Sequence, residues 1–170
     1  FNTGGDVFIA EGSGYGRVRK VTSASIITTY AGTDASSITV NSGDNGPATS
    51  ADLVACVSVW VDTGGNVYVT TQDGNQLKMI NTGGIITNIA GTGSNATSYI
   101  TGPATSATFL SLYGIFGDSM GSLYLTVNLI RPFITPGETV LLNFEYLNIG
   151  VINSQAATWQ LLHTRSNIWK

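Results

Sequence analysis

The sequence has little charge, one cysteine and no long apolar run. Only 10% of its 170 residues are charged, the formal net charge is −3, and no run of Lys or Arg appears. The basic footprint of a nucleic-acid-binding protein is therefore missing. Cys56 has no partner for an internal disulfide. No stretch approaches the roughly 18 apolar residues that cross a bilayer, and no signal-peptide pattern opens the chain. We expect neither a nucleic-acid partner nor membrane insertion.

A sequence repeat organises what is present. The motif GPATSA begins at Gly46 and again at Gly102. At one fixed interval after each copy, a glycine opens an alternating apolar run, at Gly65 and Gly121, and a third such run begins at Gly5. Apolar residues make up 42% of the chain, which is enough for a sizeable core. A repeat period of roughly 50 to 60 residues indicates a solenoid, a propeller or an array.

The middle repeat contains four runs with the period-2 alternation of half-buried strands. Glycine-containing turns separate the runs, and glycine adopts the positive φ that tight hairpin turns need. The predicted strands are Val57–Val61, Asn66–Thr71, Gln76–Ile80 and Ile85–Ala90. Four antiparallel strands in a meander, repeated at this period, predict an all-β fold of propeller blades.

The flanking repeats fit the same pattern less completely. The first repeat lacks its first strand, and the third includes Pro132, which requires a sheet edge or a bulge. The predicted strands are Asp6–Ala10, Arg17–Val21 and Ile26–Tyr30 in the first repeat, and Leu112–Phe116, Leu123–Val127, Leu129–Ile134 and Glu138–Tyr146 in the third. We therefore predict one domain of about three blades, with blade 1 at residues 3–32 and 164–170, blade 2 at 54–91 and blade 3 at 111–147.

Long linkers separate the predicted blades, at Thr33–Leu53, Thr92–Leu110 and Leu147–Gln160. Each contains or ends near one large apolar residue, and these are Leu53, Phe109 and Trp159. Such side chains would be exposed if the linkers were loose. We therefore predict that the linkers are ordered and that these residues pin them to the blades.

The sequence resembles NHL-repeat propellers, especially the subclass with a GD-G-GPA linker. The resemblance lies in GDNGPATSA from Gly43, VDTGGNVYV from Val61 and NQLKMINTGGIITNIAGTG from Asn75, and it covers residues 3–127. It implies a β-propeller, typically of six blades, in which strand one of each blade lines a central channel. The chain departs from the family where Ala55-Cys-Val replaces the usual Pro-Ser-Gly.

Propeller enzymes resembling this family, such as peptidylglycine-type lyases and lactonases, hold a metal in the channel. Here His163 is the single histidine and the acidic residues are scattered. Asp62 and Asp118 share one repeat position before a glycine turn, where a carboxylate accepts backbone N–H bonds; calcium binding is the alternative. The loop Gly43-Asp-Asn-Gly lacks the further carboxylates of a calcium site and the Lys of a phosphate loop. No catalytic residue, metal ligand or cofactor is assigned.

The main hypothesis is therefore a non-catalytic, extracellular or surface module that serves as a scaffold or protein-interaction subunit. A composition rich in Gly, Ser, Thr and Asn is common in secreted repeat proteins, and Asn95 begins an N-glycosylation sequon. Interaction candidates are Tyr15, Arg17, Tyr99 and Tyr113, because Tyr and Arg are favoured in contacts; simple packing is the alternative. The alternative function is a channel-based, metal-dependent lyase-like or lactonase-like enzyme, or a small-ligand (glycan) binder.

The ends of the chain suggest self-assembly. Asn167, Ile168 and Trp169 match the strand-one segment Ser58-Val-Trp, and blade 1 lacks that strand. We expect the C-terminal strand to complete blade 1 in its own chain or in a neighbour. Three blades are too few to close a ring, so a head-to-tail dimer or a filament is expected. The start at Phe1, in mid-repeat, also suggests a processed product or a piece of a longer chain.

Overall fold

The computed structural model describes residues 4–12, 16–33, 39–96, 103–127, 149–153 and 159–162. Within these ranges the chain forms β-strands and two short 3-10 helices, at Ala48–Ser50 and Ala104–Ser106, and no α-helix. None of the described elements is a helix long and apolar enough to span a membrane. The strands are β1 (Val7–Glu11), β2 (Arg17–Val21), β3 (Ile27–Ala31), β4 (Cys56–Val61), β5 (Val67–Thr71), β6 (Gln76–Ile80), β7 (Ile86–Ala90), β8 (Leu112–Gly117), β9 (Ser122–Val127), β10 (Ile149–Asn153) and β11 (Trp159–Leu162).

The described strands form three antiparallel meanders, which we call blades 1, 2 and 3. Their strand orders are β1-β2-β3, β4-β5-β6-β7 and β8-β9-β10-β11. Strand two of the sequence repeat corresponds to β1, β5 and β9. The glycine that precedes each of these strands has a positive φ, of 80° at Gly5, 86° at Gly65 and 85° at Gly121. A side chain there would strain the turn, so these glycines fix the hairpin geometry. The predicted all-β fold of antiparallel meanders is confirmed.

The third and fourth strands of blade 3 differ from the prediction. β9 pairs with β10, through Leu125 opposite Gly150, and β10 pairs with β11. The predicted strands Leu129–Ile134 and Glu138–Tyr146 lie outside the described residues and are not the described partners of β9. The segment Leu147–Gln160 was wrongly predicted to be a linker, because it contains β10 and the start of β11. Residues Ile149–Asn153 carry a β-branched apolar pattern without proline, so each residue can donate to the ladder.

Blade 1 has three described strands, and β1 lies at one edge of the sheet. This agrees with the expectation that the first repeat lacks its first strand. The segment predicted to complete it, which includes Asn167, Ile168 and Trp169, lies outside the described residues. Completion of blade 1 by the C-terminus stays a prediction.

The core lies between neighbouring blades. Blades 1 and 2 enclose buried residues that include Val18, Leu53, Val67, Val69 and Ile80. Blades 2 and 3 enclose Tyr68, Leu77, Phe109, Leu123 and Leu125. In blade 2, strand β5 therefore buries Val67 and Val69 against blade 1 and Tyr68 against blade 3, as a sheet packed on both sides requires.

The GPATSA segments form backbone hydrogen bonds to the blades, and the first of them joins blade 1 to blade 2. The carbonyl of Ala48 accepts from the amide of Gly32 at the end of blade 1 at 2.9 Å, and the amide of Ala48 donates to the carbonyl of Gly84 in blade 2 at 2.8 Å. In the second linker the carbonyl of Ala104 accepts from the amide of Gly91 at 3.0 Å. Leu53 and Phe109 are 1% and 3% exposed, so the predicted burial of these two side chains is confirmed.

Candidate interaction faces

Asp62 and Asp118 each organise the turn before strand two. The Oδ1 atom of Asp62 accepts from the amide of Asn66 at 2.8 Å, and its Oδ2 atom accepts from the hydroxyl of Tyr68 at 3.1 Å. Asp118 repeats this arrangement with Ser122 at 2.9 Å and Tyr124 at 3.1 Å. The backbone hydrogen bond from Ser122 is the main cause that lowers the pKa of Asp118. The predicted structural role of both carboxylates is confirmed.

Burial, reinforced by the Asp62 carboxylate, raises the pKa of Tyr68 to about 12. A phenol with this pKa stays neutral at physiological pH and keeps its proton for the hydrogen bond to Asp62. Burial also raises the pKa of Cys56 to about 12, so its thiol is not an activated nucleophile.

Asp44, in the Gly43-Asp-Asn-Gly loop, forms an ion pair with Lys78. The ammonium nitrogen of Lys78 lies 2.9 and 2.7 Å from the two carboxylate oxygens. The Lys78 side chain is 1% exposed, and burial lowers its pKa, although Asp44 acts in the opposite direction. The loop thus contributes the carboxylate of a salt bridge that joins the linker to blade 2. Sequence reasoning missed this pair, although a lysine between Leu77 and Met79 in an apolar strand was the signal for it.

The described residues contain no group of three or more His, Cys, Asp or Glu side chains that could hold a metal ion. His163 lies outside the described residues. The carboxylates of Asp44, Asp62 and Asp118 are already bound to groups of the chain itself, as described above. In the described part of the chain, these three carboxylates therefore stabilise turns or the linker of the chain itself.

The structure separates the interaction candidates that it describes. Arg17, in blade 1, pairs with Glu11 at 2.7 Å and its side chain is 18% exposed. Tyr113 lies in blade 3, is 44% exposed, and accepts a hydrogen bond from Thr70 through its carbonyl at 2.9 Å. Tyr15 and Tyr99 lie outside the described residues. Asn95 is exposed, and its backbone forms a parallel bridge with Phe109. These residues do not form one described cluster.

Each blade has two different faces. We call one the aromatic face, marked by Phe8 in blade 1, Tyr68 in blade 2 and Tyr124 in blade 3. The other is the aliphatic face, marked by Val7 and Ile9 in blade 1, by Val67 and Val69 in blade 2, and by Leu123 and Leu125 in blade 3. In both described interfaces, an aromatic face packs on the aliphatic face of the next blade. The repeat therefore stacks in one direction.

Trp60 shows how closely the aromatic face of blade 2 fits blade 3. Its indole ring packs 5.4 Å from the ring of Tyr68, and it approaches Gly117 so closely that a Cβ there would overlap the ring. Across the same interface, Ser58 Oγ accepts from the amide of Ile115 at 3.3 Å. Apolar packing and hydrogen bonds thus join these two blades.

The aromatic face of blade 3 is similar in composition, with Phe116 in place of Trp60 and Gly114 in place of Ser58, but no other part of the described chain covers it. Phe116 is the repeat equivalent of Trp60 and is 62% exposed. Together with Gly114, Asp118, Tyr124 and Thr126 it lines an open apolar depression of about 470 Å³. Four of these residues, Gly114, Phe116, Tyr124 and Thr126, occupy the repeat positions of blade 2 residues that contact blade 3, which are Ser58, Trp60, Tyr68 and Thr70.

The aliphatic face of blade 1 is likewise uncovered by the described residues. Val7, Ile9 and Ile27 are 38%, 42% and 51% exposed, whereas their equivalents Val67, Val69 and Ile86 are fully buried in blade 2. Contiguous exposed apolar surface of this kind marks interaction sites. The two outermost faces of the described structure are therefore of opposite type, one aromatic and one aliphatic.

Comparisons with known proteins identify the fold. No family model matches the sequence, and no curated protein matches it significantly. The structure is similar to a Bacteroides thetaiotaomicron protein of unknown function (TM-score 0.60, 21% identity, covering 71% of this chain and 29% of that one). It is also similar to a streptogramin B lyase (TM-score 0.54, 14% identity, covering 98% of this chain and 39% of that one). A third similar structure is a virginiamycin B lyase from Staphylococcus aureus (TM-score 0.50, 14% identity, covering 97% of this chain and 40% of that one).

These similarities place the chain among all-β proteins of β-propeller type. The sequence identities are 21% and 14%, so the similarities show the fold and no activity. The chain spans between 29% and 40% of the length of these structures. Membership of the NHL-repeat family stays a prediction from the sequence.

Proposed function

We propose that this chain is a non-catalytic NHL-type propeller module that acts as a structural scaffold and assembles by stacking its outermost blade faces. The observation that carries the proposal is the difference between Trp60 and Phe116. The first is packed against Gly117 of the next blade, whereas the second is 62% exposed on an otherwise equivalent face. A solvent-exposed aromatic side chain over an apolar depression is a typical interface anchor.

The two uncovered faces fit each other by the rule that the described blades follow. Aromatic faces pack on aliphatic faces, so the complement of the Phe116 face is the face that contains Val7 and Ile9. A second copy of the chain offers that face. Contact between two different faces is heterologous, and it leads either to a closed ring or to a filament, depending on the rotation.

We further propose an extracellular or surface location. Asn95 is exposed, as a glycosylated asparagine must be, and the chain has the low charge common in secreted repeat proteins.

Sedimentation velocity on the unmodified chain and on single variants tests the assembly. We expect concentration-dependent association of the unmodified chain, and monomers for Phe116→Asp and for Ile9→Asp, because each substitution buries a charge in one of the two faces. Met120→Asp is the matched control, since Met120 is 84% exposed and does not line the Phe116 depression. Circular dichroism must show an unchanged fold for every variant.

A mixture of the Phe116→Asp and Ile9→Asp chains makes the test specific for head-to-tail contact. Each partner retains one intact face, so the mixture should form a one-to-one dimer that grows no further. If like faces met, each single variant would still form dimers on its own. A chain that stays monomeric at high concentration, or a Phe116→Asp chain that associates as strongly as the unmodified one, would contradict the proposal.

A further inference from the structure

The ion pair of Lys78 belongs to an arrangement with three parts. Lys78 lies opposite Val69 on the aliphatic face of blade 2. Its partner Asp44 comes from the linker that precedes the blade, and the same linker covers Ile86, whose amide donates to the carbonyl of Gly46 at 3.1 Å. A buried cation, a linker carboxylate and a covered isoleucine thus occur together.

Blade 1 has a cation and an isoleucine at the equivalent positions, but the isoleucine is not covered. Arg19 lies opposite Ile9, as Lys78 lies opposite Val69. Ile27, the equivalent of Ile86, is 51% exposed. The described residues place no linker on this side of the blade. Blade 3 carries Gly150 at the cation position, opposite Leu125.

The guanidinium of Arg19 is incompletely paired. Its Nε atom is buried and has no hydrogen-bond partner among the described residues. One terminal nitrogen lies 3.7 Å from Oε1 of Glu11, beyond hydrogen-bonding distance. The other oxygen of Glu11 accepts from Arg17 at 2.7 Å, so Glu11 serves mainly Arg17. A buried donor on a charged group is costly to leave unpaired, and a carboxylate can accept from Nε and a terminal nitrogen together.

We propose that Arg19 binds the carboxylate of an acidic linker loop of the Gly-Asp-Asn-Gly type, carried by another propeller repeat that docks on the aliphatic face of blade 1. The proposal rests on the proposed function, in that a blade docks on this face, and it adds the chemistry of the preferred partner. The loop places its aspartate against Arg19 and its backbone over Ile27, as Gly43–Ala48 does for Lys78 and Ile86.

Arg19 thereby becomes a specificity-determining residue. Gly-Asp-Asn-Gly occurs once in this chain, and Asp44 is already bound to Lys78. The segment that follows β11, residues 163–170, contains no Asp or Glu, so in a second copy this segment offers no carboxylate side chain. A linker loop that carries an aspartate therefore offers Arg19 a partner that this segment lacks. A repeat with an acidic loop therefore binds more tightly than this segment of a second copy does.

Peptide binding to the full chain tests this assignment. The probe is a synthetic peptide with the sequence of residues 41–53, and its control is the same peptide with Asp44→Asn. The readout is the ¹⁵N–¹H signal of the Arg19 Nε group. We expect the acidic peptide to shift this signal and to bind about tenfold more tightly than the control peptide. The preference should disappear in an Arg19→Gln chain and return in part with Arg19→Lys.

Equal affinity for the two peptides, binding of neither, or a preference that persists in the Arg19→Gln chain would overturn the assignment. The proposed function fails by a different result, namely the absence of head-to-tail association in sedimentation. A chain that assembles but does not distinguish the peptides refutes only the role of Arg19. A chain that distinguishes them but stays monomeric refutes only assembly with a second copy.

Discussion

Replacing Asp44 by asparagine tests whether the linker is electrostatically coupled to blade 2. The substitution keeps the shape of the side chain but leaves the ammonium of Lys78, which is 1% exposed, without an anion. Removing one partner of a fully buried ion pair costs about 3 to 5 kcal/mol. The Asp44 side chain is 34% exposed, and water already weakens the pair there. We therefore expect Asp44→Asn to lower the free energy of unfolding by about 2 to 3 kcal/mol at pH 7.

The loss should depend on pH in a defined direction. Burial lowers the pKa of Lys78 from its ordinary 10.5, and Asp44 partly offsets this effect. Without Asp44 the pKa in the folded state falls further. In the window between this lowered value and 10.5, the unfolded chain binds the proton and the folded chain does not, so stability rises with pH. Part of the lost stability should return as the pH approaches 10.5.

Both the loss of stability and its dependence on pH can be measured by urea denaturation at neutral and at alkaline pH. The four chains compared are the unmodified chain, Asp44→Asn, Lys78→Met and the double variant. Lys78→Met is the matched control, because it removes the buried charge and leaves Asp44 where water can solvate it; its loss should stay below about 1 kcal/mol. The double variant completes a thermodynamic cycle that isolates the coupling. A loss below about 0.5 kcal/mol for Asp44→Asn, or one that is unchanged by pH, would refute the reasoning.

The other predictions concern packing and modification. Phe109→Ala should lower the free energy of unfolding by about 3 to 5 kcal/mol in urea, because the ring is 3% exposed, and a loss below about 1 kcal/mol would mean that the linker is loose. Gly117→Ala places a methyl group against the Trp60 indole and should cost about 1 to 3 kcal/mol in the same assay; an unchanged midpoint would show that the interface is not tightly packed. In material from a eukaryotic secretory route, mass spectrometry should find a glycan on Asn95, and unmodified asparagine would remove that support for the proposed location.

The middle repeat could be predicted closely because turn residues bracket each of its strands. The third strand, Gln76–Ile80, is the one observed, and the first begins one residue earlier than predicted, at Cys56. The glycine turns, the alternation and the two aspartate positions are local features, and local features can be read from the sequence. The burial of Leu53 and Phe109 could also be inferred, since a large apolar side chain in a long polar linker needs a place to pack.

Features that depend on distant contacts could not be predicted in this way. β9 ends at Val127, but its partner β10 begins only at Ile149, and the sequence has no glycine directly after Val127 of the kind that follows strand two in the other repeats. The salt bridge of Lys78 joins residues 34 positions apart. The exposure of Phe116 and the unpaired nitrogen of Arg19 depend on which blade face has a neighbour. The lysine within an apolar strand signals a buried charge, but the sequence does not show which carboxylate pairs with it or which blade face has a neighbour.

The backbone hydrogen bonds of Ala48 affect how the protein unfolds. Its amide binds one blade and its carbonyl binds the next, so two sheets share a single residue of main chain. No side-chain substitution removes these bonds, except proline, which lacks the amide. When one of the two blades unfolds, the linker loses its hydrogen bonds to that blade, and its hydrogen bonds to the other blade are weakened as well. Unfolding should therefore spread from blade to blade as a nearest-neighbour process, and the weakest point should be an outermost blade that has only one such linker to hold it.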